Sequence, residues 1–178
     1  IDTIAPTIDT DASDLTVACD GQGNTAALAA WLASNGGASA SDVCSGVRWS
    51  NDYSGLSDGC GATGAATVTF TATDSCGNAT STTATFTIID TIAPTIDTDA
   101  SDLTVACDGQ GNTAALAAWL ASNGGASASD VCSGVRWTNN FTGVSDGWGA
   151  TGAATGTFTA TDSCGNATST TATFTIID

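Results

Sequence analysis

The 178-residue chain carries eighteen acidic and two basic side chains, no histidine and a net charge of −16. Every acid is Asp and both bases are Arg (Arg48, Arg136), so nucleic acids and anionic lipid surfaces are repelled as partners, and the usual general bases and amine nucleophiles of catalysis are missing. No apolar run is long enough to span a bilayer; neither an enzyme nor membrane insertion is expected.

Residues 2–89 and 90–177 align without a gap and differ at seven positions: Ser50/Thr138, Asp52/Asn140, Tyr53/Phe141, Ser54/Thr142, Leu56/Val144, Cys60/Trp148 and Val68/Gly156. The period is too long for a solenoid repeat and suits one sandwich domain of roughly 100 residues. Two modules are therefore expected, 2–89 and 90–177. The closing Ile177-Asp178 repeats the opening Ile1-Asp2, as in a window cut from a longer array.

Within a module, Asp2 to Ile8 reads as a short linker entering an edge strand, with Pro6 holding Ala5 extended. Leu15-Thr16-Val17-Ala18-Cys19 alternates as a second strand. Asn24 is placed to cap, through its side-chain oxygen, a helix of about ten residues whose Leu28, Trp31 and Leu32 form one apolar stripe. Gly36-Gly37 ends that helix. Val47 to Asn51 reads as a strand, 52–65 as a Gly-rich loop, and 67–73 with 84–88 as a hairpin around Asp74 to Asn78. In that hairpin Val68, Phe70 and Ala72 face inward and the threonines outward. The whole reads as mainly β: two tandem Ig-like antiparallel β-sandwich modules, each with one short inserted helix and disulfide staples. The junction Ile89-Asp90-Thr91-Ile92 before Ala93-Pro94 is short and stiff, so an array of modules should extend as a rod.

Seven cysteines with no CxxC pair and no histidine point to disulfides in an oxidising compartment rather than to zinc. Four cysteines in the first module allow three connectivities. Cys44–Cys76 and Cys132–Cys164 are favoured because both members survive in both copies. That leaves Cys19–Cys60 in the first module and an unpaired Cys107 in the second, where Trp148 replaces the partner. Cys107 is then either a buried inert thiol or a link to another chain.

No cofactor is required. Calcium is the one the acids suggest, at Asp9, Asp11 and Asp14 and their copies Asp97, Asp99 and Asp102, since hard oxygen ligands suit it. Asp2, Asp42, Asp74 and Asn78 are a second grouping at a loop end. Neither has the spacing of an EF-hand, and the alternative is a solvated acidic edge.

Several motifs carry a resemblance: Val17 to Gly21, Ala30 to Ala38, Trp49 to Tyr53, and Phe70-Thr71-Ala72-Thr73-Asp74-Ser75-Cys76-Gly77-Asn78. With them the chain resembles the tandem repeats of giant cell-surface adhesins of Bacteroidetes, the SprB-like gliding-motility adhesins exported by type IX secretion. It is also similar to hyalin-repeat modules of the Ig-like superfamily. The resemblance implies an extracellular, outer-surface location and a stalk or adhesive role. It also implies O-glycosylation at Asp-Thr followed by an apolar residue, which Thr3 and Thr91 match.

The expected partners are neighbouring repeats of the same chain, with extracellular surfaces or glycans as candidate ligands. A stalk is preferred. Direct binding would use Tyr53 and Phe141, read as exposed, beside the variable residues 50–60; self-assembly into a filament is a third reading.

Overall fold

In the computed structural model, which describes every residue except 1, 146 and 148, the chain divides into two units, Ile1–Asp90 and Thr91–Asp178. Each is mainly β with the same order of elements. In the first, β1 (Thr7–Thr10) and β2 (Leu15–Ala18) precede helix α1 (Thr25–Ala33). Then follow β3 (Ser39–Ser41), β4 (Arg48–Asn51), β5 (Gly64–Thr73) and β6 (Ala79–Ile89). The second unit repeats them as β7 (Thr95–Thr98), β8 (Leu103–Ala106), α2 (Thr113–Ala121), β9 (Ser127–Ser129), β10 (Arg136–Asn139), β11 (Gly152–Thr161) and β12 (Ala167–Ile177).

The unit is built around its long hairpin. Strict alternation over β5 buries Ala66, Val68, Phe70 and Ala72, and the return strand buries Ala84, Phe86 and Ile88 against them. Thr67 and Thr85, on the other face, exchange a hydroxyl hydrogen bond of 2.9 Å across the pair. β4 adds to the far side of β5 and β2 to the far side of β6, giving the order β2-β6-β5-β4. β1 and β3 form a separate two-stranded sheet, interrupted between Ile8 and Thr10 by a register shift. Three-residue β3 is too short for its period to show in the sequence.

One pairing departs from the antiparallel expectation. β2 runs parallel to β6, with Leu15 opposite Phe86 and Ala18 opposite Ile89, and Cys19 N–H extends the ladder to the Ile89 carbonyl at 2.8 Å. The reason is connectivity. A parallel pair needs a long crossover, and here the rest of the module supplies it, joining the first core strand to the last.

The helix closes the core. Leu28 and Trp31 are buried while Leu32 is only partly so. Trp31 stands edge-on to Phe70 at 5.2 Å between centroids and tilts against Phe86 at 5.6 Å. Its indole N–H donates to the Ser13 carbonyl at 3.0 Å, so the one polar atom of the ring is satisfied. Gly36, at φ +65°, passes so close that an added Cβ would lie 3.1 Å from both Ala12 and Phe70.

Asn24 does precede the helix, but not as the side-chain cap expected of it. It adopts a left-handed conformation and makes no side-chain capping bond. Instead its buried amide donates to the Ala18 carbonyl at 2.8 Å and accepts from Asp20 N–H at 3.2 Å. Asp20 in turn accepts from the N–H groups of Gln22 and Asn24. The side chain therefore ties the end of β2 to the start of α1. Asn24→Ala should cost about 2–3 kcal/mol, from one orphaned buried carbonyl and the left-handed backbone. Chemical denaturation checks this, and Asn24→Gly should recover only the backbone share.

The second unit differs where its sequence does. Gly156 replaces Val68, which is fully buried in the first unit. In the second, Leu116 and Ala154 become partly exposed where Leu28 and Ala66 are buried. A core position has lost its side chain.

Candidate metal centre and cysteine sites

The acids of the β1–β2 segment serve as separate hydrogen-bond acceptors. Asp9 accepts from the Ser41 hydroxyl at 2.9 Å and Asp14 from Thr85 N–H at 2.7 Å. Their copies Asp97 and Asp102 accept from Ser129 and Thr173, and Asp99 accepts from the Thr170 hydroxyl at 3.0 Å. Asp11 is exposed. Among the described residues these six carboxylates form no converging set of donors. Their bonds pin the edge segment to β3 and β6.

The carboxylates that do converge are Asp2, Asp42 and Asp74, each offering an oxygen within 4.8 Å of the others. Three segments bring them together. Asp2 lies in the entering linker, and Asn78 Nδ2 donates to its carbonyl at 3.3 Å. Asp42 follows β3 and accepts from Cys44 N–H at 2.9 Å and Ser45 N–H at 2.8 Å. Asp74 opens the β5–β6 turn, is 7% exposed, and accepts from Cys76 N–H, Asn78 N–H and the Asn78 amide.

The Asn78 amide, with the turn N–H groups, holds the Asp74 carboxyl below its ordinary range despite its burial. It is ionised at neutral pH. One oxygen in the group lacks a donor: Asp2 Oδ2 is sealed from solvent and accepts no hydrogen bond, while its Oδ1 takes Ile4 N–H at 3.0 Å. Clustered carboxylates with an unsatisfied acceptor are the donor set of a hard divalent cation.

The cysteines sort differently in the two units. Cys19 and Cys60 form the disulfide of the first, and Cys132 and Cys164 that of the second. Cys44 and Cys76 are not joined as expected from sequence. Both are exposed thiols on turns facing solvent, and Cys44 neighbours the acidic group. Asp2 first, then burial, Asp42, Cys76 and Asp74 push the Cys44 thiol up from its ordinary value. Cys107 is a half-buried thiol packed against the core of its unit. Trp148, which stands where a partner would, lies outside the described residues.

Thr3 and Thr91 are exposed. Tyr53 and Phe141 are not the exposed rings that direct recognition calls for. Both are half-buried, and Tyr53 packs against the core cluster. Val43, 91% exposed, and Val131, 72% exposed, are the most open large apolar side chains described. No described helix is long and apolar enough to cross a membrane.

No family model matches the sequence and no curated protein matches it. Among solved structures, Drosophila N-cadherin EC1-4 aligns with 98% of the chain at 11% identity and a TM-score of 0.38. Titin domains I67-I69 align with 98% at 10% identity and a TM-score of 0.33. Protocadherin gammaB7 EC3-6 aligns with 78% at 14% identity and a TM-score of 0.31. The chain spans 50% of the N-cadherin fragment's length, 66% of the titin fragment's and 43% of the protocadherin's.

Proposed function

We propose that the chain is a repeat segment of an extracellular, tension-bearing stalk, in a cell-surface adhesin of the kind its motifs resemble. The observation that carries this reading is the parallel pairing of β2 with β6. Neighbouring repeats would pull β2 from its N-terminal end and β6 from its C-terminal end. Parallel strands loaded in opposite directions are sheared, so the ladder from Leu15 to Cys19 yields as a group. An antiparallel pair pulled from its open end yields one bond at a time. The disulfides fit an oxidising compartment, and the half-burial of Tyr53 and Phe141 favours the stalk over direct recognition. Gliding, type IX export and glycosylation at Thr3 and Thr91 belong to the same proposal.

Single-molecule stretching tests it, because forced unfolding reads the unfolding barrier. Pulling the first module through its ends should need clearly more force than pulling through residues 63 and 90, which peels β5 from β6. Equal forces would overturn the stalk reading. So would robust binding of the two-module fragment in a glycan array or surface-adhesion assay.

Calcium enters the same proposal at Asp2, Asp42 and Asp74, where it would fasten the entering linker to two turns of the module. Calcium in millimolar excess should raise the Tm, chelator should reverse the gain, and Asp42→Asn should abolish the response. Unchanged melts would remove the cation from this account.

A further inference from the structure

The two units hold one pair of loops in two chemical states. In the second, Cys132 and Cys164 are joined and Cys132 is 8% exposed. In the first, Cys44 and Cys76 are exposed thiols. Their surroundings are otherwise identical in sequence: residues 38–49 match 126–137 and residues 69–83 match 157–171.

The scaffold matches too. Asp42 Oδ1 holds the N–H groups of Cys44 and Ser45 at 2.9 and 2.8 Å, and Asp130 Oδ1 holds those of Cys132 and Ser133 at 2.9 and 3.0 Å. One bond crosses between the loops beside the cysteines in both units. Ser75 N–H donates to the Ser45 hydroxyl at 3.3 Å, and Ser163 N–H to that of Ser133 at 3.1 Å. A disulfide needs its two Cα atoms and Cβ directions correctly placed. The second unit shows that this loop pair supplies that placement.

We propose that Cys44 and Cys76 are an exchangeable surface dithiol, closing to the bridge that Cys132 and Cys164 already form. The chemistry is thiol–disulfide exchange with a small-molecule or protein disulfide. One thiolate attacks a sulfur of the oxidant, forms a mixed disulfide and expels a thiolate. The second cysteine attacks the mixed disulfide at the protein sulfur and expels the other half. The pair loses two electrons and two protons; one disulfide outside the module becomes two thiols. This inference is independent of the stalk reading, since it rests on the two copies alone.

The test uses the folded two-module chain, purified without reductant and incubated with oxidised glutathione. Thiols are then blocked by alkylation and the protein is digested without reduction for mass spectrometry. The expected product is a peptide pair linked through Cys44 and Cys76, with alkylatable thiols falling from three to one, Cys107. In the Cys44→Ser variant Cys76 should stop at the glutathione adduct, which shows that it is accessible. Oxidation should raise the first module's Tm by at least about 5 °C and leave that of Cys44→Ser unchanged. Persistence of both thiols, glutathione adducts on wild-type Cys44 and Cys76, or bridges between chains would each overturn the proposal.

Discussion

Replacing Gly156 by Val is expected to stabilise the second module by about 2–4 kcal/mol. The burial of a valine side chain accounts for about 1.5–3 kcal/mol, and removal of a strand-interior glycine for about 0.5–1 kcal/mol more. The space exists. A Cβ at this position would meet the Trp119 ring at 3.4 Å and the Phe158 ring at 3.5 Å, which is ordinary contact. The equivalent Val68 is fully buried in the first unit, so the rest of the side chain has a known place. In a domain of this size the gain corresponds to a Tm rise of roughly 10 °C or more. Calorimetry of the two-module chain reads it: the second module's transition should climb toward the first. The reverse change, Val68→Gly, should lower the first by a similar amount. If Gly156→Val left the melting unchanged, the core at that position would be collapsed rather than depleted.

Removing the Cys19–Cys60 bridge should be a large loss to the first module, whose core Cys19 also packs against. The bond closes a loop of about 40 residues, for which the chain-entropy account gives about 4 kcal/mol. It also fastens the end of β2, since Cys19 both continues the parallel ladder and carries the bridge. The paired substitution Cys19→Ser with Cys60→Ser avoids a stray thiol. Equilibrium denaturation should show the destabilisation together with a steeper slope, because the unfolded chain freed of its cross-link exposes more surface. Stretching offers a separate readout. With the bridge intact, unfolding releases the module's chain less the roughly 40 bridged residues; with it removed, the extension per event should grow by about 140 Å. The second module, which lacks a cysteine at 148, has its own shorter bridge and should give a longer step than the intact first.

What could be read from the sequence follows the strength of its periodic signals. The long hairpin and the buried row Val68, Phe70 and Ala72 were legible because the strict alternation from Thr67 to Thr73 leaves no competing reading. The helix was legible from its alanine-rich run and Trp31. Parallel β2–β6 was not, since Leu15 to Ala18 carries no mark of which strand it will join or in which direction. Asn24 misled because a residue favoured at helix starts can also turn its amide back to the preceding strand. The acidic centre was partly visible as a grouping at a loop end. Its unsatisfied oxygen, Asp2 Oδ2, is a fact of burial that spacing cannot show. The denser run at Asp9, Asp11 and Asp14 forms no such centre: Asp9 takes a hydroxyl donor, Asp14 a backbone donor, and Asp11 is exposed. For the cysteines, survival in both copies pointed to a pairing. It could not say that one copy would be joined and the other open.

The pairing of β2 with β6 also sets an order on how the chain must be made. Leu15 to Ala18 finds its partner only when Phe86 to Ile89 has emerged, nearly a whole module later. Until then its unsatisfied edge waits, and contacts this distant in sequence form slowly. The next module brings Leu103 to Ala106, the same four residues, which would fit the waiting groove beside β6 as well as the correct strand. Near-identical tandem copies therefore carry a standing hazard of strand exchange between neighbours during folding. In the first module the covalent tie from Cys19 to Cys60 is well placed to keep β2 at home, while Cys107, its copy, carries no such tie.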